Sequence, residues 1–174
     1  MGTFASAVTG WHDFYVVVGT ASATLVGLLF LSLSLNPHLI AAGERSAPRM
    51  LAAQSFANFL LVLMIAVVFL IPDQSPLGLA LPMIGIGMYG LFLTTRRLLA
   101  ARRSSAHAWA SGGVARHVSA ALVCNLALIA IAVTALAGIT SGLYWLVPVI
   151  LVLIYEAARN AWGLLLQLHP KDDE

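Results

Sequence analysis

Long runs of apolar residues alternate along the chain with short polar or turn-forming segments. Five apolar windows reach the roughly 20 residues that a helix needs to cross the hydrocarbon core of a bilayer. These windows cover residues 14–35, 51–71, 77–95, 118–139 and 143–166. Because backbone groups cannot stay unpaired in lipid, each window is predicted to be an α-helix rather than a strand. The pattern predicts an all-α transmembrane helical bundle with five spanning helices.

Composition agrees with a lipid environment. Of the 174 residues, 60% are hydrophobic and only 9% are charged, whereas ordinary soluble domains carry about 25% charged residues. This leaves too little polar surface to cover a water-soluble globule. The length predicts one integral membrane domain over residues 1–174, with no second domain.

The basic residues predict an orientation. If the N-terminus lies outside and the C-terminus inside, every Lys and Arg lies at a cytoplasmic end, as the positive-inside rule requires. These residues are Arg45, Arg49, Arg96, Arg97, Arg102, Arg103, Arg116, Arg159 and Lys171. The opposite orientation would place all of them outside. The first 13 residues lack the basic residues of a secretory signal, so the first window is interpreted as a retained span.

Two pairs of arginines follow the third window, in the segment RRLLAARRSSAHAWA. The pairs are Arg96 with Arg97 and Arg102 with Arg103. We expect this segment to extend the third helix at the inner membrane surface and to contact anionic lipid headgroups. A partner protein or nucleic acid could also bind such a stretch, but lipid is the commoner ligand of juxtamembrane arginines. The expected partner is therefore the lipid bilayer, with no nucleic acid.

Small residues mark two candidate faces for helix packing, because helices in lipid associate through close backbone approach. In the first window Gly19, Ala23 and Gly27 recur every four residues. In the third window Ala80, Gly87 and Thr94 recur every seven residues, and Gly90 lies beside them. Spacing does not tell whether these faces meet within one chain, in a homo-oligomer or against a partner membrane protein.

The fifth window places Glu156, Arg159 and Asn160 in a run that otherwise suits lipid. A lone charge at the bilayer centre costs about 3 kcal/mol on insertion scales. Residues three and four positions apart share one side of a helix. We therefore expect Glu156 to pair with Arg159, with Asn160 on the same side.

Other windows add polar side chains near the same cytoplasmic ends. Gln54 and Asn58 lie in the second window and Asn125 lies in the fourth. With Glu156, Arg159 and Asn160 they form a predicted inner polar cluster. Three interpretations stay open. The cluster could fix helix register, it could line a water-filled vestibule or an ion or proton path, or the span could end near Tyr155 and leave Glu156 and Arg159 at the interface.

No motif indicates an enzyme. The chain has no H-E-x-x-H, G-x-S-x-G or P-loop pattern. Its histidines lack H-x-x-x-H spacing, and its single cysteine, Cys124, lies in an apolar run. The G-x-G-x-x-G of residues 85–90 lies inside an apolar window instead of after a strand, so it does not indicate a dinucleotide site. We expect no catalytic residue, metal site or cofactor.

Residues 19–37, GTASATLVGLLFLSLSLNP, resemble the first span of small uncharacterised multi-pass proteins of bacterial inner membranes. The resemblance implies a bacterial inner-membrane location and carries over no activity or site residue. Two functional hypotheses follow from the whole sequence. The first is a small oligomeric channel or transporter-like protein that uses the inner polar cluster. The second is a non-transporting accessory or regulatory subunit of a larger membrane complex.

Overall fold

The computed structural model describes residues 4–35, 47–104 and 113–168, without the side chains of residues 47–51, 97, 98, 100–104, 113–119 and 164–168. Regular structure in these described ranges is entirely helical. The helices are α1 (Phe4–Thr9), α2 (His12–Leu35), α3 (Ala47–Phe69), α4 (Pro76–Ser104), α5 (Gly113–Leu136), a 3₁₀ helix (Thr140–Trp145) and α6 (Leu146–Leu168). The predicted helical class is confirmed.

Four helices are long and apolar enough to cross a membrane within the described residues. The qualifying segments are His12–Leu35, Ala52–Phe69, Pro76–Arg96 and Thr140–Gly163. A shorter apolar helix covers Ala120–Leu136. The described part of the chain is thus helical, with four candidate membrane spans and one shorter apolar helix.

Helix α3 ends at Phe69, two residues before the predicted end of the second window. Helix α4 begins at Pro76, one residue before the predicted start of the third window. Pro72 disfavours a helical conformation at the residue before it, which explains why α3 stops at Phe69. The hydroxyl of Ser75 accepts a hydrogen bond of 3.0 Å from the backbone N–H of Gly78. Ser75 is therefore the N-cap of α4, and Pro76 occupies the first helical position, where a missing N–H costs nothing.

Helix α5 ends at Leu136, three residues before the predicted end. Gly138 has φ +73°, and its N–H donates to the carbonyl of Ala135 at 2.9 Å. The N–H of Ile139 donates to the carbonyl of Thr134 at 3.0 Å. This is the Schellman arrangement, in which a left-handed glycine closes a helix. The 3₁₀ helix that follows delays the start of α6 to Leu146.

The chain divides into two compact units. The first unit contains residues 1–10 and 71–149, and in it α4 packs along α5. A Cβ added at Gly87 would lie 2.7 Å from Cγ1 of Ile129 and 3.3 Å from the carbonyl oxygen of Asn125. Gly87 therefore lets the α4 backbone approach α5 closely. One of the two predicted small-residue faces meets its partner within the chain.

The second unit contains residues 11–70 and 150–174, and in it α2 packs along α3. The rings of Tyr15 and Phe69 stack at 4.0 Å. At the other end of the pair, Leu29 and Ala52 form a buried cluster with Leu33 and Phe56 packed against it. Because Tyr15 precedes Leu29 while Phe69 follows Ala52, the two helices run antiparallel. The prediction of a single domain stays a prediction.

Candidate functional site

Glu156 and Arg159 form an ion pair on α6. Nη2 of Arg159 donates to Oε2 of Glu156 at 2.7 Å, across the predicted spacing of three residues. The Arg159 side chain is 28% exposed and that of Glu156 is 15% exposed. A short charge-assisted hydrogen bond of this kind lowers the cost of holding both charges in an apolar setting. The pairing expected from the sequence is present.

A buried hydrogen bond joins α3 to α6 beside this pair. The hydroxyl of Ser55 donates to the backbone carbonyl of Ala157 at 3.0 Å, and both residues are fully buried. Ala157 is the neighbour of Glu156 along α6, so the bond holds the ion pair at a defined level of α3. The sequence did not predict this bond, because residue spacing does not reveal a contact between distant segments.

Asn160 lies one turn after Glu156 and is 3% exposed. Its Nδ2 has no hydrogen-bond partner among the described residues. A buried amide without a partner costs about 1–3 kcal/mol. Gln54 and Asn58 of α3 belong to the same compact unit and are half-buried. The second unit therefore contains five of the six residues of the predicted inner polar cluster.

The sixth residue, Asn125, belongs to the first unit. Its Nδ2 donates to the carbonyl of Ala121 at 2.8 Å, one turn earlier on α5. Its Oδ1 lies against Gly90, where an added Cβ would overlap the amide group. The buried Oδ1 has no conventional hydrogen-bond partner among the described residues, and a Cα–H of Gly90 faces it, as at many helix interfaces. Asn125 therefore lies where α4 and α5 are in close contact.

The three small residues of the first window do not share one face. Gly19 is buried, and a Cβ there would lie 3.1 Å from Cβ of Ala66. Ala23 is exposed, and a Cβ added at Gly27 would meet no atom of the described residues within 4 Å. Each four-residue step rotates about 40° around a helix of 3.6 residues per turn, so the line from Gly19 to Gly27 turns by about 80°. Only Gly19 reaches α3.

Two further buried polar groups of the second unit are hydroxyls on α2. Tyr15 is 1% exposed and Ser22 is 0% exposed. Neither Tyr15 Oη nor Ser22 Oγ has a hydrogen-bond partner among the described residues. Neither residue was among the site residues predicted from the sequence. Their seven-residue spacing, with Gly19 between them, was the available signal that they share the buried face.

One of the four arginines proposed to contact lipid headgroups has a described side chain. Arg96 is exposed, and its guanidinium carbon lies 5.6 Å from the ring centroid of Phe92, one turn earlier. Such a cation–π contact orients the side chain along the helix surface. The side chains of Arg97, Arg102 and Arg103 lie outside the described residues, although the backbone of α4 continues through them to Ser104, as expected.

Comparison with protein-family models, with curated proteins and with solved structures found no match to this chain.

Proposed function

We propose that the protein is an integral protein of the bacterial cytoplasmic membrane that spans it five times, as α2 to α6. The four candidate spans support this proposal, and α5 supplies a fifth helix whose described part is apolar. The distribution of basic residues supports an external N-terminus and a cytoplasmic C-terminus. In this orientation the Glu156–Arg159 pair lies in the cytoplasmic half of α6.

We further propose that the second unit is the working part of a small channel or transporter-like protein. The observation that carries this proposal is the buried Nδ2 of Asn160, which has no hydrogen-bond partner among the described residues and lies one turn from a partly buried ion pair. A cluster that served only to fix helix register would be expected to pair its buried donors, because each unpaired one is costly. Water entering from the cytoplasmic side would satisfy Asn160 and solvate the pair.

The interfacial interpretation of Glu156 and Arg159 is less well supported. It requires the span to end near Tyr155, whereas α6 continues without interruption to Leu168. Both charged side chains are also mostly shielded, at 15% and 28% exposure. Side chains at a membrane surface would be expected to extend into water.

The direct test is ion flux in proteoliposomes that contain the purified protein. We expect the wild type to conduct at least one species from a panel of protons, alkali cations and halides. Glu156→Gln should change the rate, because it removes the negative partner of Arg159. Asp13→Asn, which changes an exposed carboxylate near the other end of the second unit, is the matched control. Absence of flux for every species, with a larger membrane complex co-purifying, would contradict the proposal.

A second candidate function rests on a different observation. Ala23 is exposed, and a Cβ added at Gly27 would meet no described atom within 4 Å. Small residues at such exposed positions permit close approach of another helix in lipid. An accessory or regulatory subunit would use this face to bind a partner membrane protein, and a homo-oligomer would use it to bind a second copy. Gly27→Leu should abolish co-purification in the first case and change the oligomer mass in the second.

A further inference from the structure

Ser22 differs from Thr24 and Ser34, two other hydroxyl residues of α2, in where its side chain points. The hydroxyl of Thr24 donates to the carbonyl of Thr20, and that of Ser34 donates to the carbonyl of Phe30, both at 2.9 Å. This bond to the preceding turn is the usual way for a hydroxyl to be satisfied in a membrane helix. Ser22 is fully buried and makes no such bond. Its Oγ is therefore directed away from its own backbone, into the protein interior.

Tyr15 repeats this arrangement one heptad earlier on the same face. Its ring stacks on Phe69 of α3, and its fully buried Oη has no partner among the described residues. Two buried hydroxyls thus belong to the stripe of α2 that also contains Gly19, which packs against α3. Each would cost about 1–3 kcal/mol if it stayed dry.

The α2–α3 seam is closed between these two hydroxyls. Gly19 and Ala66 approach so closely that a Cβ on Gly19 would lie 3.1 Å from that of Ala66. Val62 and Ile65 of α3 are fully buried and apolar. The contact lies between Tyr15 and Ser22. The predicted orientation places the start of α2 outside, so Tyr15 is the outer hydroxyl and Ser22 the deeper one.

We propose that the hydroxyls of Tyr15 and Ser22 are hydration sites of a proton path through the α2–α3 seam, with the Gly19–Ala66 contact as its closure. The proposal rests on the proposed transport function and names the proton as the species carried. Seven residues of α2 span about 10.5 Å, a distance that about three waters at hydrogen-bond spacing would bridge. The seam must separate slightly at Gly19 for these waters to connect.

Hydroxyl groups suit a proton better than a metal cation. A hydroxyl both accepts and donates a hydrogen bond, so it can take a proton from a hydronium on one side while its own proton passes to a water on the other. Neither side chain changes its protonation state after one passage. A metal cation such as Ca²⁺ needs six or more oxygen ligands, and the seam offers two hydroxyls separated by apolar side chains.

The inner end of the path would be the polar cluster of the second unit. From Ser22 the antiparallel α3 leads towards Ser55, whose hydroxyl is fixed on the carbonyl of Ala157 beside Glu156. Glu156 immediately precedes Ala157 on α6, so its carboxylate is an acidic group next to that hydrogen bond. The path therefore connects an outer hydroxyl to an ionisable group in the cytoplasmic half without leaving one compact unit.

The test measures proton flux into proteoliposomes that contain a trapped pH-sensitive dye, under an imposed pH gradient. We expect Tyr15→Phe and Ser22→Val to lower the proton flux about tenfold each, the loss that follows from a barrier raised by one weak hydrogen bond. Tyr155→Phe and Ser34→Ala change exposed hydroxyls on α6 and α2 and should leave it unchanged. Ser22→Thr keeps a hydroxyl in the volume of valine and should conduct better than Ser22→Val.

The outcomes separate this inference from the proposed function. If the wild type carries protons and both Tyr15→Phe and Ser22→Val carry them equally well, the path is wrong and the transport function stands. The same conclusion follows if the wild type carries a metal cation or an anion but no protons. If the wild type carries nothing, the transport function fails and the path fails with it. Equal losses in Ser22→Thr and Ser22→Val would indicate a packing effect and overturn the role of the hydroxyl.

Discussion

Glu156 and Arg159 place two opposite charges in an apolar helix, and their 2.7 Å hydrogen bond makes the arrangement tolerable. Removing one residue takes this hydrogen bond and the compensating charge away from the other, whose side chain is mostly shielded from water. Breaking a fully buried pair costs about 3–5 kcal/mol, and partial exposure reduces that cost. The pair is therefore best understood as one neutral unit whose two members depend on each other.

We predict that Glu156→Gln and Arg159→Gln each lower the free energy of unfolding in detergent by about 1–3 kcal/mol. The double variant should lie closer to the wild type than either single variant, because it leaves no uncompensated charge. Thermal unfolding followed by circular dichroism measures the three effects. Additive losses in the double variant would contradict the coupling of the pair.

A side chain at Gly90 would collide with the amide group of Asn125. We predict that Gly90→Ala destabilises the α4–α5 packing by about 1–3 kcal/mol through overpacking. Asn125→Ala should restore much of this loss, because it removes the atoms that the new methyl group would meet. Gly85→Ala, on the same helix with nothing within 4 Å of its added Cβ, is the matched control. If Gly85→Ala and Gly90→Ala cost the same, helix propensity and not the contact explains the effect.

At the scale of elements, two glycines show which face of α2 packs against α3 and which does not. On α2, Gly19 packs against α3, whereas a Cβ added at Gly27 would have no neighbour within 4 Å in the described part of the chain, although both glycines belong to one four-residue repeat. A helix in lipid gains little from burying apolar side chains, so it packs where its backbone can approach a neighbour. The register of α2 on α3 therefore depends on where Gly19 and Ala66 meet.

Leucine should destabilise the protein at Gly19 and leave its stability unchanged at Gly27. Gly19→Leu must push α2 away from Ala66, so we predict a lower unfolding temperature and weaker protection of the α2–α3 pair from proteolysis. Gly27→Leu fills open space and should leave the isolated protein as stable as the wild type. Limited proteolysis and thermal unfolding in detergent compare the two variants. A similar loss of stability in both would show that the face assignment of α2 is wrong.

At the scale of the whole molecule, the basic residues are the strongest predictor of topology. All of them fall at cytoplasmic ends in one orientation and at external ends in the other. The helical classification does not depend on this asymmetry, because it follows from the length and composition of the described helices. Orientation is a separate proposal with a separate test.

Single cysteines at positions 45, 73 and 102, in a Cys124→Ala background, test the orientation in intact cells. We predict that Arg45→Cys and Arg102→Cys react with a membrane-impermeant thiol reagent only after the cells are permeabilised. Asp73→Cys, in the turn between α3 and α4, should react from outside in intact cells. Labelling of positions 45 and 102 from opposite sides would exclude the five-span topology.

Apolar windows and punctuating prolines and glycines were sufficient to predict that the chain is helical and roughly where each helix lies. This succeeds because an apolar run long enough to cross a bilayer has a helix as its only stable form there. The Glu156–Arg159 pair was predictable for a similar reason, since its two residues lie three apart on one helix. Local properties of the chain are enough for features of both kinds.

The contacts between helices could be identified only from the tertiary structure. The bond from Ser55 to Ala157, the closure of Gly19 on Ala66 and the contact of Gly90 with Asn125 all join distant segments. The importance of the Tyr15 and Ser22 hydroxyls followed only from their burial and from the lack of a hydrogen-bond partner within the described ranges. Periodicity tells which residues share a side of a helix, but the rotation of each helix against its neighbour is set by side-chain packing between segments that the sequence leaves far apart.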